Sequence, residues 1–230
     1  MRRVFLSLMA CGLLGAQSLP RLGVAIGAST LGAEVQAATA VTHSSNLRFG
    51  FNAFSYSDTF SSHGIGYDGT LTLRSAEILF DQYIRGPVHV SPGLMFYDGN
   101  KAEAAASVAG GQAFTLGGAT YVSQPGNPIG GTGTVDTRKV APMLLIGFGN
   151  LLPRSARHFT MNFDAGVVFQ GSPHARLALN GGACVANACL DAATNPIVQT
   201  NILAEQNRIE NNLTAFRYYP VVSLTFGYKF

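Results

Sequence analysis

The last fifteen residues alternate with a period of two. Phe216, Tyr218, Pro220, Val222, Leu224, Phe226, Tyr228 and Phe230 fall on one face. Arg217, Tyr219, Val221, Ser223, Thr225, Gly227 and Lys229 fall on the other. Successive strand side chains point to opposite faces, so this is a strand with one aromatic-rich side and one polar or small side. Val88–Phe96, Val140–Phe148, Phe159–Phe169 and Leu47–Ala53 repeat the pattern. Leu71–Tyr83 is a further strand. Its apolar parity changes between Leu73 and Ala76, which predicts a β-bulge near Ser75. Leu22–Ser29 and Ala33–Thr42 are weaker Gly- and Ala-rich strands, giving eight in all.

The connections sort by parity. Starting from the first strand, alternate connections are 30–32, 58–67, 99–138 and 171–215, while the others are 43–45, 84–87 and 151–158. Long loops at one end and short turns at the other are the asymmetry of an outer-membrane barrel. Within the long loops, 107–123 reads as a hairpin. Asn195-Pro196 reads as a helix N-cap followed by Pro, opening a helix with Val198, Ile202, Ile209 and Leu213 on one stripe. That helix is expected to be a lid.

Composition narrows the class. Charged residues make up 12% of the 230, about half the ~25% usual in soluble domains. No apolar run long enough for a membrane helix occurs after the N-terminus. The first eighteen residues read as an export signal, with basic Arg2 and Arg3, an apolar stretch Val4–Leu14 and small residues at Ala16-Gln17-Ser18. The mature barrel is expected over 19–230. Beyond the signal 13 basic residues face 12 acidic ones, so no nucleic-acid partner is indicated. Cys184 and Cys189 in an exported chain suggest a local disulfide.

The expected fold is an all-β, eight-stranded antiparallel up-and-down transmembrane barrel. Lipid takes the place of the second apolar layer that a soluble sheet needs, so inward positions can be polar. The inward set is Glu34, Gln36, Arg48, Asn52, Arg74, His89, Asn162, Asp164, Arg217 and Lys229. Within it, Glu34, Asp164 and one of Glu77 or Asp81 are expected to pair with Arg48, Arg74 and Arg217, because isolated ions in a narrow lumen would be poorly solvated. A soluble exported β-sandwich is the alternative architecture.

The terminal FGYKF, with Phe226, Tyr228 and Phe230, resembles the assembly signal of outer-membrane β-barrel proteins. The mature chain is similar in pattern to the small OmpA- and OmpW-like eight-stranded group. The resemblance implies insertion by the barrel-assembly machinery, with Phe230 as the recognition residue, and a bacterial outer-membrane location among outer-membrane lipid. Trp is absent, so Tyr and Phe must form the interfacial girdles.

Catalytic signatures are weak. Gly64–Gly69 matches GxGxxG but precedes a strand, where a dinucleotide site needs a helix. Ser172, His174 and Asp191 are the one candidate nucleophilic set, for a lipid-modifying enzyme. The preferred function is non-catalytic: a monomeric structural protein, or one that binds or translocates a small hydrophobic solute, with Phe114-Thr115-Leu116 and the loop helix shaping the site. No cofactor or metal is expected.

Overall fold

A computed structural model describes residues 21–62, 64–97, 100–186 and 188–230. The expected export signal and His63 lie outside the described residues. The strands are β1 (Leu22–Ser29), β2 (Gly32–Ala40), β3 (Ser45–Ser62), β4 (Ile65–Arg85), β5 (Val88–Tyr97), β6 (Lys101–Val108), β7 (Ala113–Leu116) and β8 (Ala119–Ser123). There follow β9 (Ile129–Asp136), β10 (Val140–Gly149), β11 (Phe159–Val168), β12 (His174–Asn180), β13 (Gly182–Val185) and β14 (Ala188–Asp191). A helix α1 (Pro196–Asn212) leads into β15 (Tyr219–Lys229).

Eight of these strands close a ring in the order β1-β2-β3-β4-β5-β10-β11-β15, with β15 returning to β1, and each of these pairings is antiparallel. Closure gives every ring strand two partners and removes the sheet edge. Two stacked layers, the alternative architecture, are not what forms.

The outer face of the ring carries the apolar set. Ile26, Val35, Phe49, Phe51, Ile146, Phe148, Val222 and Phe226 are all exposed, a continuous belt far beyond what a water-facing surface carries. Aromatic clusters mark both ends of the belt. Tyr228 meets Phe159 and Phe230 edge-on at one end, and Phe169 meets Tyr218 edge-on at the other.

The inside of the ring is filled in three levels. Leu31, Leu79, Met95, Met143, Leu145, Val168 and Val221 pack together in one apolar cluster. A polar level holds Glu34, Gln36, Arg48, Asp81, His89 and Asp164, all buried. Leu151 and Leu152, from the β10–β11 connection, pack with Ala25 and Ala38 in another apolar cluster. The interior is therefore a packed core, as expected of so narrow a barrel.

Two sequence expectations need correction. First, 58–62 and 65–67, expected in a loop, are strand. The β3–β4 ladder runs unshifted from Ser45↔Gln82 to Ser62↔Ile65, so there is no bulge between these strands at Ser75. The parity change has another cause. Ala76, Ile78 and Phe80 face outward at the ring, whereas Leu71, further along, faces a cleft on the inner side. The apolar face switches because the surroundings switch. Second, irregularity lies on the opposite side of β4, where the β5 ladder shifts between Tyr83 and Arg85 and the register changes again from β5 to β6. Ser75 opposes Tyr97 of β5, but Thr72 opposes Lys101 of β6. A one-residue slip moves a strand's side chains to the other face, and here it turns Ala102, Ala104 and Ala106 inward.

Beyond the ring, β3 and β4 continue outward and are joined by β6, β9 and β12 in an extension of the same sheet. A second sheet, β14-β13-β8-β7, and α1 cover part of it. Phe114, Leu116, Tyr121, Ile129, Leu179, Val198 and Ile202 form the buried core of this cap. Asn195 caps α1, its side chain accepting from the Ile197 N–H at 3.0 Å, with Pro196 at the first turn. The structure joins Cys184 to Cys189 across the β13–β14 hairpin.

Candidate functional site

Two clusters of interest are formed, one inside the ring and one above it. Inside, Arg48 is fully buried and bridges two carboxylates. Its Nη2 donates to Asp81 at 2.9 Å and its Nη1 to Asp164 at 2.6 Å. His89 Nε2 lies 2.9 Å from Asp164, Asn162 donates to Asp164 at 2.6 Å, and Ser91 donates to Asp81 at 2.6 Å. Glu34 accepts from Gln36 and Ser223. Gly147 makes room for this arrangement, since a Cβ there would sit 2.2 Å from both His89 Nε2 and Asp164 Oδ1.

Arg74 and Arg217, expected in the same network, are exposed instead. The backbone N–H of Arg74 donates to Asn100, and Arg217 lies over the Tyr218 ring at 5.9 Å. Arg217 belongs to the short 3-10 turn before β15, so strand alternation does not govern where it points. Arg74 sits on the outward parity of β4. Of the expected carboxylates, Asp81 and Asp164 pair with Arg48, whereas Glu34 is held by Gln36 and Ser223 and not by an arginine; Ser91 and His89 stand where the two other arginines were expected.

The second cluster is a cleft of about 560 Å³ on the inner face of the extended sheet, roofed by α1 and β7. That volume lies within the roughly 300–1,000 Å³ typical of small-molecule sites. Its floor follows from register. Asp58 opposes Gly69, Gly69 opposes Ala104, Ala104 opposes Gly133, and Gly133 opposes Leu177. Three consecutive small residues thus cross the sheet between Asp58 and Leu177. The row on one side is Tyr56, Leu71, Ala102, Val135 and Ala175. The row on the other side is Phe60, Tyr67, Ala106, Gly131 and Leu179. The result is a trough across five strands, spanning four interstrand steps of about 4.8 Å, or roughly 19 Å.

The trough is covered unevenly. At the β12 end Ala175 and Leu179 are 8% and 7% exposed, whereas at the β3 end Tyr56 and Phe60 are 55% and 51% exposed. α1 explains the covered end. Gln206 donates to the Leu177 carbonyl, and Glu210 accepts from the Ala175 N–H at 2.9 Å. At the open end β3 is the edge of the sheet, since β2 pairs with it only as far as Ala53.

Among the inward side chains, charge comes from Asp58 at the open end and from Glu205 and Arg208 on α1. Arg208 pairs with Glu205, which also accepts from the Gly117 N–H at 3.3 Å. Hydrogen bonding to Glu205 holds the Arg208 guanidinium above its ordinary pKa. Burial, then the nearby Glu205 carboxylate, push the Tyr67 phenol up from its usual value. Tyr67 stacks on Phe60 with ring centroids 5.1 Å apart.

Other sequence candidates are placed elsewhere. His174 lies 3.8 Å from Glu210, and Asp191 accepts from the N–H groups of Ala193 and Thr194. Neither shows a hydrogen bond to Ser172 or to the other. The GxGxxG stretch runs into β4. Phe114 is buried in the cap core, while Thr115 and Leu116 line the cleft. Among the described residues no group of His, Cys, Asp or Glu is arranged to hold a metal, and no helix is long and apolar enough to cross a membrane.

No protein-family model matches the chain, and no curated protein matches it by sequence. Among solved structures, the fold is similar to CarO of Acinetobacter baumannii, with 17% identity and a TM-score of 0.55, covering 90% of this chain and 97% of that one. CarO2 of the same organism is similar at 17% identity and a TM-score of 0.56, covering 93% and 100%. At this identity the likeness bears on fold alone. The chain shares the fold of a small outer-membrane β-barrel.

Proposed function

We propose that this chain is a non-catalytic outer-membrane protein that binds a small hydrophobic solute on its external side. In this reading the eight-strand ring is a transmembrane up-and-down barrel of the architecture typified by OmpA and OmpW. Residues 1–18 direct export, the barrel-assembly machinery reads Phe226, Tyr228 and Phe230, and both ends of the mature chain face the periplasm. The apolar belt and its two aromatic ends support insertion. The packed interior favours binding over conduction, since solute cannot pass a core closed by Leu79, Met95, Leu151 and Leu152 without rearrangement.

The observation that carries the binding reading is the row Gly69–Ala104–Gly133, which hollows out an otherwise apolar face under α1. The protein in lipid nanodiscs is expected to bind an environment-sensitive hydrophobic dye saturably, above empty nanodiscs. Ala104→Phe, which fills the trough, is expected to weaken binding by about tenfold or more, a change of roughly 1.4 kcal/mol, while heat-modifiable gel mobility is kept. Equal binding by the variant, or none by the parent, would refute the site. Recovery of the protein in the soluble fraction without any mobility change would refute insertion.

A further inference from the structure

Resting on that reading, we propose that the trough takes a linear amphiphile with a cationic head, its tail under α1 and its head at Asp58. Three independent features converge on this ligand class. The first is shape. Gly69, Ala104 and Gly133 lie in file over two interstrand steps, about 10 Å, within a trough roughly 19 Å long from Asp58 to Leu177, and Leu71 and Tyr67 narrow it on either side of Gly69. An extended hydrocarbon chain fits such a channel, whereas a broad ring system would meet Leu71 and Tyr67 on either side.

The second is polarity along the file. From Gly69 to Leu177 the floor offers no charged side chain, the roof charges Glu205 and Arg208 are paired with each other, and the covered end is shut by α1. The tail therefore belongs there, where the apolar area it removes from water is greatest. A head group with its hydration shell fits the uncovered β3 end.

The third is charge. Asp58 lies between Tyr56 and Phe60 on one strand face, each two residues away, so the carboxylate is flanked by two aromatic rings. Phe60 in turn stacks on Tyr67. Opposite Asp58 stands Gly69, and the Phe60 ring leans over it, 3.4 Å from where a Cβ would stand, so an aromatic ring lies beside the carboxylate. Rings presenting faces next to an anion form the environment that attracts an ammonium group. Among the described residues Asp58 forms no ion pair, its side chain accepting from the Thr59 N–H at 2.9 Å. The other charges near the cleft are matched: Arg208 with Glu205, Arg176 with Asp136, and Lys101 with Glu103.

The test uses the full-length protein in zwitterionic nanodiscs, with radiolabelled dodecyltrimethylammonium, dodecanoate and tetramethylammonium, and empty nanodiscs subtracted. The alkylammonium is expected to bind about tenfold tighter than the alkanoate of equal length, and tetramethylammonium is expected not to saturate. Asp58→Asn should bring the two long-chain affinities close to equality. Asp68→Asn, an exposed carboxylate on the opposite face of β4 that accepts from Thr59, should leave the ratio unchanged. An alkanoate that binds as well as the alkylammonium, saturable binding of tetramethylammonium, a ratio untouched by Asp58→Asn, or a ratio lost with Asp68→Asn would overturn the proposal. If the dye still binds in those cases, only the head-group assignment falls. If neither dye nor amphiphile binds, the binding reading falls with it.

Discussion

Arg48 and Asp164 stand 116 positions apart in the chain and meet inside the ring, Arg48 donating to both carboxylate oxygens at 2.6 and 3.3 Å. They sit on β3 and β11, with β2, β1 and β15 between them in the ring order. The pair is thus a strap across the interior and not a ladder contact. Removing Arg48 would leave Asp81 and Asp164 buried without their cation. Arg48→Ala is expected to cost about 3–5 kcal/mol, read as a lower urea midpoint in vesicles and earlier loss of heat-modifiable mobility. Single-channel current should stay small in the variant, because the apolar levels above and below do not depend on Arg48. A large current would refute the closed-core description.

Gly147 gives a finer probe of the same level. A methyl group there overlaps both His89 and Asp164, so Gly147→Ala should displace one of them. Overpacking of this kind costs about 1–3 kcal/mol. Urea unfolding checks it, and an unchanged midpoint would show that the neighbours yield freely.

Tyr67 makes a pH prediction outside the membrane-spanning part. Its folded pKa lies above the ordinary 10.0. Its contribution to stability is therefore complete below that value and declines as pH rises beyond it, because the unfolded phenol ionises first. The difference between ultraviolet titrations of the parent and Tyr67→Phe should show that this tyrosine ionises late. Glu205→Gln should move that ionisation back down in part, since burial remains the larger cause. Movement upward would contradict the assigned neighbour.

The Cys184–Cys189 link closes a short loop, for which chain entropy gives about 2 kcal/mol. Replacing both with Ala should make the β13–β14 hairpin more protease-sensitive while the ring keeps its gel mobility. Loss of the ring signal instead would mean that cap and ring unfold as one unit.

Phe230 is 70% exposed and contacts Tyr228 edge-on at 5.2 Å. Deleting it should barely change the unfolding midpoint of assembled protein, within about 0.5 kcal/mol, yet lower the assembled fraction in cells several-fold. A parallel fall in both would mark the residue as structural and not as a recognition signal.

The ring was legible in the sequence because period two survives wherever a strand has lipid on one side and a polar core on the other. Phe226, Val222 and Phe163 declare themselves this way, as do Arg48 and Asp164. The cap was not legible for the same reason: above the rim the inner face is apolar, so Leu71 and Tyr67 broke the alternation and read as a bulge and a loop. The trough depends on cross-strand register, which places Gly69, Ala104 and Gly133 in one row. No local pattern brings together residues from three strands. Leu151 and Leu152 fall by spacing in a short turn, and two adjacent leucines in an otherwise polar connection are a usable signal for a plug.

All 18 residues of β3 are matched rung by rung with β4, from the lower rim to the tip. A ribbon without a break acts as a stiff mast: it has no hinge at which the upper part could bend independently of the lower. β12, on which α1 is anchored, is joined to β3 through β9, β6 and β4 in one hydrogen-bonded sheet. A tilt of the base therefore carries Asp58 and the roof together, and the width of the mouth is written into strand register.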